Sequence, residues 1–503
     1  MASATTLGVP KPEHRGLIYW MERVLKEREK VRTSPDVDAV HDLRVAIRRC
    51  RSLAAVMEEL DPHPAWPEMR KLGRKLFRQL GELRDTQVLE EWVTRLSKSD
   101  DPVRVKILAL FAAREKDLRE AALRAAEKFD EKSWRRLERT LKQRSRFVPL
   151  DGPAAACLAL ERLEVARELH LHALRTEKPE TWHALRIAVK RFRYTVESLL
   201  PSHYSAWGAD LKSIQDSLGE IHDLDVLAGT IAHLEGDSLN ASRLAWSERL
   251  VAERRSRTES YRERAAGTQG RWHSWRSALP AGAALDNASF ARLRVTSRAM
   301  DPNLRRTRQV ARLALRLYDG LRRAGFSGFE KGSPRNVFRG AAQLLGIGGS
   351  LEAKSPHKAA RAFLRDMDVP PGWSLAEWDL LAAVVRYQRG APPNPKQKAF
   401  ATLPEEAQKR LLRLAGVLRL ARALRKSGVE SPRGLRIERS VDAVLIHLAG
   451  LRETQETAPR LASGKYMLES ALLCPVLLKA LPPAPNVVEL PRVPEPEHAA
   501  ASD

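Results

Sequence analysis

Apolar residues recur through most of this chain at three- and four-residue spacing, the period of helices that bury one face. Residues 14 to about 147 and 153 to 265 read as long amphipathic helices rich in Ala, Leu, Arg and Glu. Val148-Pro149-Leu150-Asp151-Gly152-Pro153 separates the two stretches with two prolines and a glycine. Shorter breaks at Asp61-Pro62-His63-Pro64, Pro201-Ser202-His203 and Glu235-Gly236-Asp237 divide them into the helices of a bundle. Residues 266–294, with Ala-Gly-Thr-Gln-Gly and Ser-Ala-Leu-Pro-Ala-Gly, read as a linker. Helical periodicity resumes over 295–426. From 430 to 482, the alternation in Leu435-Arg436-Ile437-Glu438 and the β-prone run Ala443–His447 predict a small α+β appendage. The Pro- and Glu-rich residues 483–503 read as a disordered tail.

Within the helical pattern, two blocks are written twice. His41-Asp-Leu-Arg44-Val-Ala-Ile-Arg48-Arg49-Cys-Arg51 returns as His183-Ala-Leu-Arg186-Ile-Ala-Val-Lys190-Arg191-Phe-Arg193, an offset of 183 − 41 = 142. Leu80-Gly81-Glu82-Leu83-Arg84-Asp85 returns as Leu218-Gly219-Glu220-Ile221-His222-Asp223, an offset of 218 − 80 = 138. Two blocks in one order at nearly one offset identify an internal duplication over about residues 14–265, and duplicated helical units pack about a pseudo-twofold axis. At about 100° per residue, positions 0, +3, +7 and +10 of the first block span an arc of about 80° on a helix. Each copy thus carries a stripe of His and cations, while Leu43, Val45, Ala46, Ile47 and Leu185, Ile187, Ala188, Val189 supply the side that packs. Stacked cations repel, so the stripe is a candidate surface for a multiply charged anion.

Charge sharpens this picture. Lys and Arg number 87 against 63 Asp and Glu, a net +24, which points to a polyanionic partner: nucleic acid, acidic membrane or a phosphate polymer. Aromatic residues are only 6% and do not interleave the basic stretches, as a base-stacking surface requires. At 503 residues, two to four domains are expected. Cys50, Cys157 and Cys474 lack metal or disulfide spacing and read as reduced structural residues of a cytoplasmic protein. The start has no apolar signal core and no long uncharged apolar run occurs, so neither secretion nor a membrane span is expected.

The two repeated blocks resemble the CHAD domain, a module named for its histidine-bearing helices, over about residues 10–265. The resemblance implies a mainly α fold of duplicated four-helix bundles and binding of inorganic polyphosphate in a basic central pore. By position it implies ligand-facing His41, Arg44, Arg48, Arg49 and Arg51 in the first copy, and His183, Arg186, Lys190, Arg191 and Arg193 in the second. Arg49 and Arg191 lie off the centre of the arc. Arg74, in a row with Lys71, Lys75 and Arg78, and Lys212 at the offset of 138 add one candidate per copy. For His41 and His183 two readings stand: ligand contact, or burial with a bond to backbone near a helix start. Asp85 and Asp223 read as anchors for neighbouring arginines.

Residues 295–426 resemble the C-terminal HD-type helical region of the exopolyphosphatase/guanosine pentaphosphatase family. The resemblance rests on Arg306-Thr-Arg-Gln-Val310, Ala341-Ala-Gln-Leu-Leu345-Gly346-Ile-Gly348, Ser355-Pro-His357-Lys and Arg386-Tyr387-Gln388-Arg389. An active HD centre gathers His and Asp around metal ions. Here Arg306, Leu345, Gly346 and Gln388 stand at such positions and only His357 remains, so the region reads as degenerate. Arg386, Arg389, Lys396 and Lys398 make its far end basic. No P-loop, nucleophile elbow or dinucleotide fingerprint occurs. The sequence therefore predicts a cytoplasmic, non-enzymatic polyphosphate-binding protein without cofactor or metal, with polyphosphate granules as a candidate location. Two other readings stay open: a metal-dependent phosphohydrolase acting on polyphosphate or guanosine pentaphosphate, and an RNA- or DNA-binding protein.

Overall fold

A computed structural model describes residues 16–33, 36–234, 239–265, 270–451 and 454–481. The predicted tail at 483–503 and the break at Glu235-Gly236-Asp237 lie outside the described residues. The chain forms two compact units, one running to Pro302 with Gly349–Leu351 and Met367–Leu375, the other made of Asn303–Gly348, Glu352–Asp366 and Ala376 onward.

In the first unit, prolines and acidic caps set the helix starts. The first copy of the duplication comprises α1 (Leu17–Thr33), α2 (Val37–Leu60), α3 (Ala65–Leu72), α4 (Arg74–Leu96), α5 (Pro102–Glu127) and α6 (Glu131–Arg144). Asp36 caps α2 by accepting from the Ala39 N–H at 2.7 Å, and Asp130 caps α6 from Ser133 at 2.9 Å. The second copy comprises α7 (Pro153–Thr176), α8 (Pro179–Leu199), α9 (Pro201–Ala232) and α10 (Asn240–Ala265). Its first three helices each begin on a proline, whose missing N–H costs nothing at that position. The junction is pinned where Asp151, with φ +52°, donates its N–H to the Leu199 carbonyl at 2.8 Å and accepts from the Ser202 hydroxyl at 2.8 Å.

Counterpart helices meet each other. α2 packs on α8, α4 on α9 and α5 on α10, as a pseudo-twofold relation between the copies requires. One apolar core runs through both copies, from Met21, Leu43, Ile47 and Trp134 to Leu158, Leu185, Val189 and Phe192. A second core joins Trp92, Val103 and Ile107 to Leu224, Leu227 and Trp246. Ile187 departs from its expected place in the packed face and is exposed.

Residues 266–294 are not a linker where they are described. They contain α11 (Arg271–Ser277) and most of α12 (Gly282–Met300), which packs on α7. Gly and Pro suggested a spacer, but Trp272 and Trp275 sit three residues apart on one helical face and are both buried. Arg292, also buried, is ion-paired with Glu161.

The second unit holds α13 (Leu304–Arg323), α14 (Ser333–Gln343), α15 (Pro356–Asp366), α16 (Leu375–Tyr387), α17 (Lys398–Ala401), α18 (Glu405–Lys426) and α19 (Thr457–Leu472), with β1 (Arg436–Arg439), β2 (Val444–Ala449) and β3 (Val476–Leu481). β2 is central, antiparallel to β1 and parallel to β3 through the α19 crossover. The small α+β appendage expected from the sequence is present, and it packs onto the helices before it. α19 lies tightly on α18, where a Cβ at Gly416 would stand 2.8 Å from the Leu468 nitrogen.

Asp101 ties the two copies together. Its Oδ1 caps α5 through the Val103 and Arg104 N–H groups at 3.0 and 3.2 Å. It also accepts from Ser242 at 3.0 Å and the Trp246 indole at 2.9 Å on α10. Burial opposes its charge, but the hydrogen bonds outweigh burial and hold the carboxyl below its ordinary range. Asp101→Ala loses a helix cap and strands a buried indole N–H, for about 2–4 kcal/mol of stability. Denaturant unfolding of the variant checks this; a loss below about 0.5 kcal/mol contradicts the assigned role.

Candidate functional site

α2 and α8 carry the two copies of the basic stripe, and their packing brings the stripes together. Between them lies a cleft of about 720 Å³ whose lining includes Arg48 and Arg51 from α2 and Arg186, Lys190 and Arg191 from α8. Arg44 reaches the same charge cluster, since Arg44 and Arg48 both act on Lys190 across the copies.

Each cation is held differently. Arg44 lies over the Phe77 ring, 5.0 Å from its centre, with Nη2 3.5 Å from Asp85. A Cβ at Gly81 would stand 2.5 Å from the Arg44 Nη1, so the glycine of the second block leaves room for this guanidinium against α4. Gly219, its counterpart, has nothing within 4 Å. Arg51 also lies over Phe77, at 5.1 Å, and donates to the Arg70 carbonyl. The Nε atoms of Arg48 and Arg186 are buried and form no hydrogen bond.

The electrostatics follow from crowding. Burial, then Arg186 and Arg48, push the Lys190 ammonium down to about 8, against the pull of Asp223. Burial raises the Asp223 carboxyl to about 6 although Arg186 opposes the rise. Burial, followed by Arg186, His183 and Lys190, lowers His222 to about 4. The cleft lining holds seven Arg and Lys residues against three carboxylates, Glu58, Glu59 and Asp368.

The remaining expected ligands divide. His41 and His183 are both exposed, which removes the reading of buried, backbone-bonded histidines; His183 Nδ1 stands 3.4 Å from His222 Nδ1. Arg191 lines the cleft and is exposed, whereas Arg49, its counterpart, pairs with Glu197 of α8 and lies over Trp20. Arg193 is only 9% exposed and is absent from the cleft lining, although Arg51, its counterpart, is present. Arg74 and Lys212 are exposed; Arg74 is felt by Arg51, and neither lines the cleft. Sequence reasoning missed Arg70 on α3, Arg162 on α7, Tyr194 and Asp368, all lining residues. Arg70 and Arg162 lie outside both repeated blocks and pair with Glu58 and Glu59, so no spacing signalled them.

In the second unit, the positions expected to depart from an HD centre do meet. The Gln388 amide donates to the Leu345 carbonyl at 3.2 Å and its Oε1 accepts from Arg422 at 2.5 Å. His357 is buried, with Nδ1 unbonded. The Leu345 carbonyl and the Gln388 amide oxygen are already engaged, the Arg422 guanidinium repels a cation, and among the described residues no group of three or more His, Cys, Asp or Glu could hold a metal ion. Among the described residues no helix is long and apolar enough to cross a membrane.

The titrating pair makes the cleft pH-dependent. A bound polyanion favours charged Lys190 and neutral Asp223, so binding takes up protons. Affinity for a multiply charged anion should fall as pH rises from about 6 to 9, as Asp223 ionises and Lys190 loses its proton. Calorimetric titration across that range checks it; a flat profile in the wild type contradicts the coupling.

Residues 20–232 match the family model of the CHAD domain, and residues 296–457 match that of the Ppx/GppA phosphatase, domain III. Among solved structures, the chain is similar to the crystal structure of the CHAD domain from the plant Ricinus communis, at 24% identity and a TM-score of 0.38, over 53% of this chain and 90% of that one. No curated protein matches.

Proposed function

We propose that this protein, which joins a CHAD domain to a Ppx/GppA domain III, binds inorganic polyphosphate in the α2–α8 cleft and does not cleave it. Both families relate the chain to polyphosphate. The carrying observation is the convergence of Arg48, Arg51, Arg186, Lys190 and Arg191 from two copies of one helix upon one cleft, with Arg44 acting on Lys190 from beside it. Polyphosphate has about one charge per phosphate and no base, so it needs closely spaced donors and no stacking surface. The arginine fork suits phosphate oxygens bidentately, while Lys190 acts as a point charge. Phe77 serves here as a rest for Arg44 and Arg51.

The reading without cleavage is supported by the chemistry of the side chains. Hydrolysis of a phosphoanhydride calls for a metal-held or base-activated water beside a neutralised phosphate. Of the carboxylates that line the cleft, Glu58 and Glu59 are paired with Arg70 and Arg162, and Asp368 is the third; beside the cleft, Asp85 lies against Arg44 and burial raises Asp223 to about 6. In the second unit Leu345 and Gly346 stand at two of the expected ligand positions, and Gln388, at a third, is bonded to the Leu345 carbonyl and to Arg422.

Replacing Arg44, Arg48, Arg186 and Lys190 together by Ala should weaken long-chain polyphosphate binding by about 1–2 kcal/mol per charge-assisted contact and flatten its salt dependence. The wild-type protein should release no phosphate from polyphosphate, guanosine pentaphosphate or ATP with Mg2+ or Mn2+ present. Unchanged binding in the folded quadruple variant overturns the cleft assignment. Chelator-sensitive phosphate release overturns the non-enzymatic reading.

A further inference from the structure

A second concentration of positive charge lies in the other unit, around Gln388. α18 presents Arg422 and Lys426 one turn apart, and α13, packed on α18, presents Arg306. Arg389 follows the end of α16. These cations act on each other: burial first, then Arg389, Arg306 and Arg419, lower Arg422 to about 10. Lys426 is lowered by burial and then by Arg422 and Arg306. Among the described residues none of Arg306, Arg389, Arg422 and Lys426 makes an ion pair, although most arginines of the chain's first unit do. Such a group repels itself and is balanced only by an external anion.

The cluster has a built base. Gln388 is 1% exposed, and its amide fixes one nitrogen of the Arg422 fork while leaving the other donors free. Arg419 donates to the Tyr387 and Gly390 carbonyls at 2.8 and 2.7 Å, holding the turn that carries Arg389. His357 packs against that turn, where a Cβ at Gly390 would stand 2.7 Å from its Nε2. Its Nδ1 is buried without a hydrogen bond, and its strongest charged neighbours are Arg386 and Arg389. Burial, then Arg386 and Arg389, push its imidazole down to about 4, so it stays neutral beside the cations.

We infer that the degenerate HD centre is an anion site, with Arg306, Arg389, Arg422 and Lys426 receiving a compact phosphoanhydride group beside His357. The exchange is chemically direct: where metal ligands would gather a cation that holds phosphate, guanidinium groups hold the phosphate themselves. The site stands apart from the cleft reading and does not depend on it.

Pyrophosphate titrated calorimetrically into the full-length protein tests the site. Arg306→Ala combined with Arg389→Ala, both exposed positions, should weaken pyrophosphate binding by about ten-fold or more. In a protein already carrying Arg48→Ala and Lys190→Ala, which removes the cleft's own contribution, the Arg306/Arg389 substitutions should cause the same loss of about ten-fold. Long-chain polyphosphate distinguishes the sources: a parallel loss in the Arg306/Arg389 variant assigns the site to the polymer's end, and an unchanged affinity assigns it to free pyrophosphate. Failure of the wild type to bind pyrophosphate, unaltered binding in the Arg306/Arg389 variant, or loss confined to the Arg48/Lys190 variant overturns the inference.

Discussion

Like charges a few ångströms apart, partly out of water, cost several kcal/mol at an effective dielectric near 20, and the first unit is organised around holding them there. Lys190 feels Arg186 on its own helix and Arg48 and Arg44 on the other. Only the packing of α2 on α8 makes that possible, and the apolar faces of the same two helices supply it through Leu43, Ile47, Leu185 and Val189. Burial that stabilises the fold therefore also confines the cations. A polyanion entering the cleft would relieve the repulsion, which is how the proposed binding would draw on the packing of the fold.

Duplication accounts for the geometry but not for its detail. The two copies both place their +7 cation, Arg48 and Lys190, in the cleft lining, yet at +3 Arg186 lines it and Arg44 does not, and the first copy adds Arg51 where the second adds Arg191. Arg49 is instead spent on Glu197 between the helices, and Arg193 is buried. The same asymmetry appears at Gly81 and Gly219, of which only the first makes room for an arginine. A polymer in such a cleft meets two unlike rows of donors rather than a symmetric ring.

Much of this was legible in the sequence because helical period and exact repetition are local signals. The positions of Arg44, Arg48, Arg186 and Lys190 follow from the 3.6-residue period, and the pairing of the copies follows from the nearly equal offsets of the two blocks. Three things escaped for physical reasons. Arg70 and Arg162 reach the cleft from helices without the motif, through tertiary packing alone. Trp272 and Trp275 make a helix of a stretch whose glycines and prolines suggested a spacer. The histidines' exposure depends on neighbours that a single helix pattern does not contain. In the second unit, the substituted HD positions were visible as letters, but that Gln388 would join Leu345 to Arg422 required the fold.

The central claim is that this surface recognises a chain of phosphates rather than a nucleic acid backbone. Competition at physiological salt tests it most directly, with labelled long-chain polyphosphate bound to the full-length protein and unlabelled polyphosphate, RNA or orthophosphate added. Closely spaced cations without a stacking platform predict displacement by polyphosphate at far lower phosphate concentration than by RNA, and none by orthophosphate at the same concentration. Equal or better displacement by RNA would contradict it.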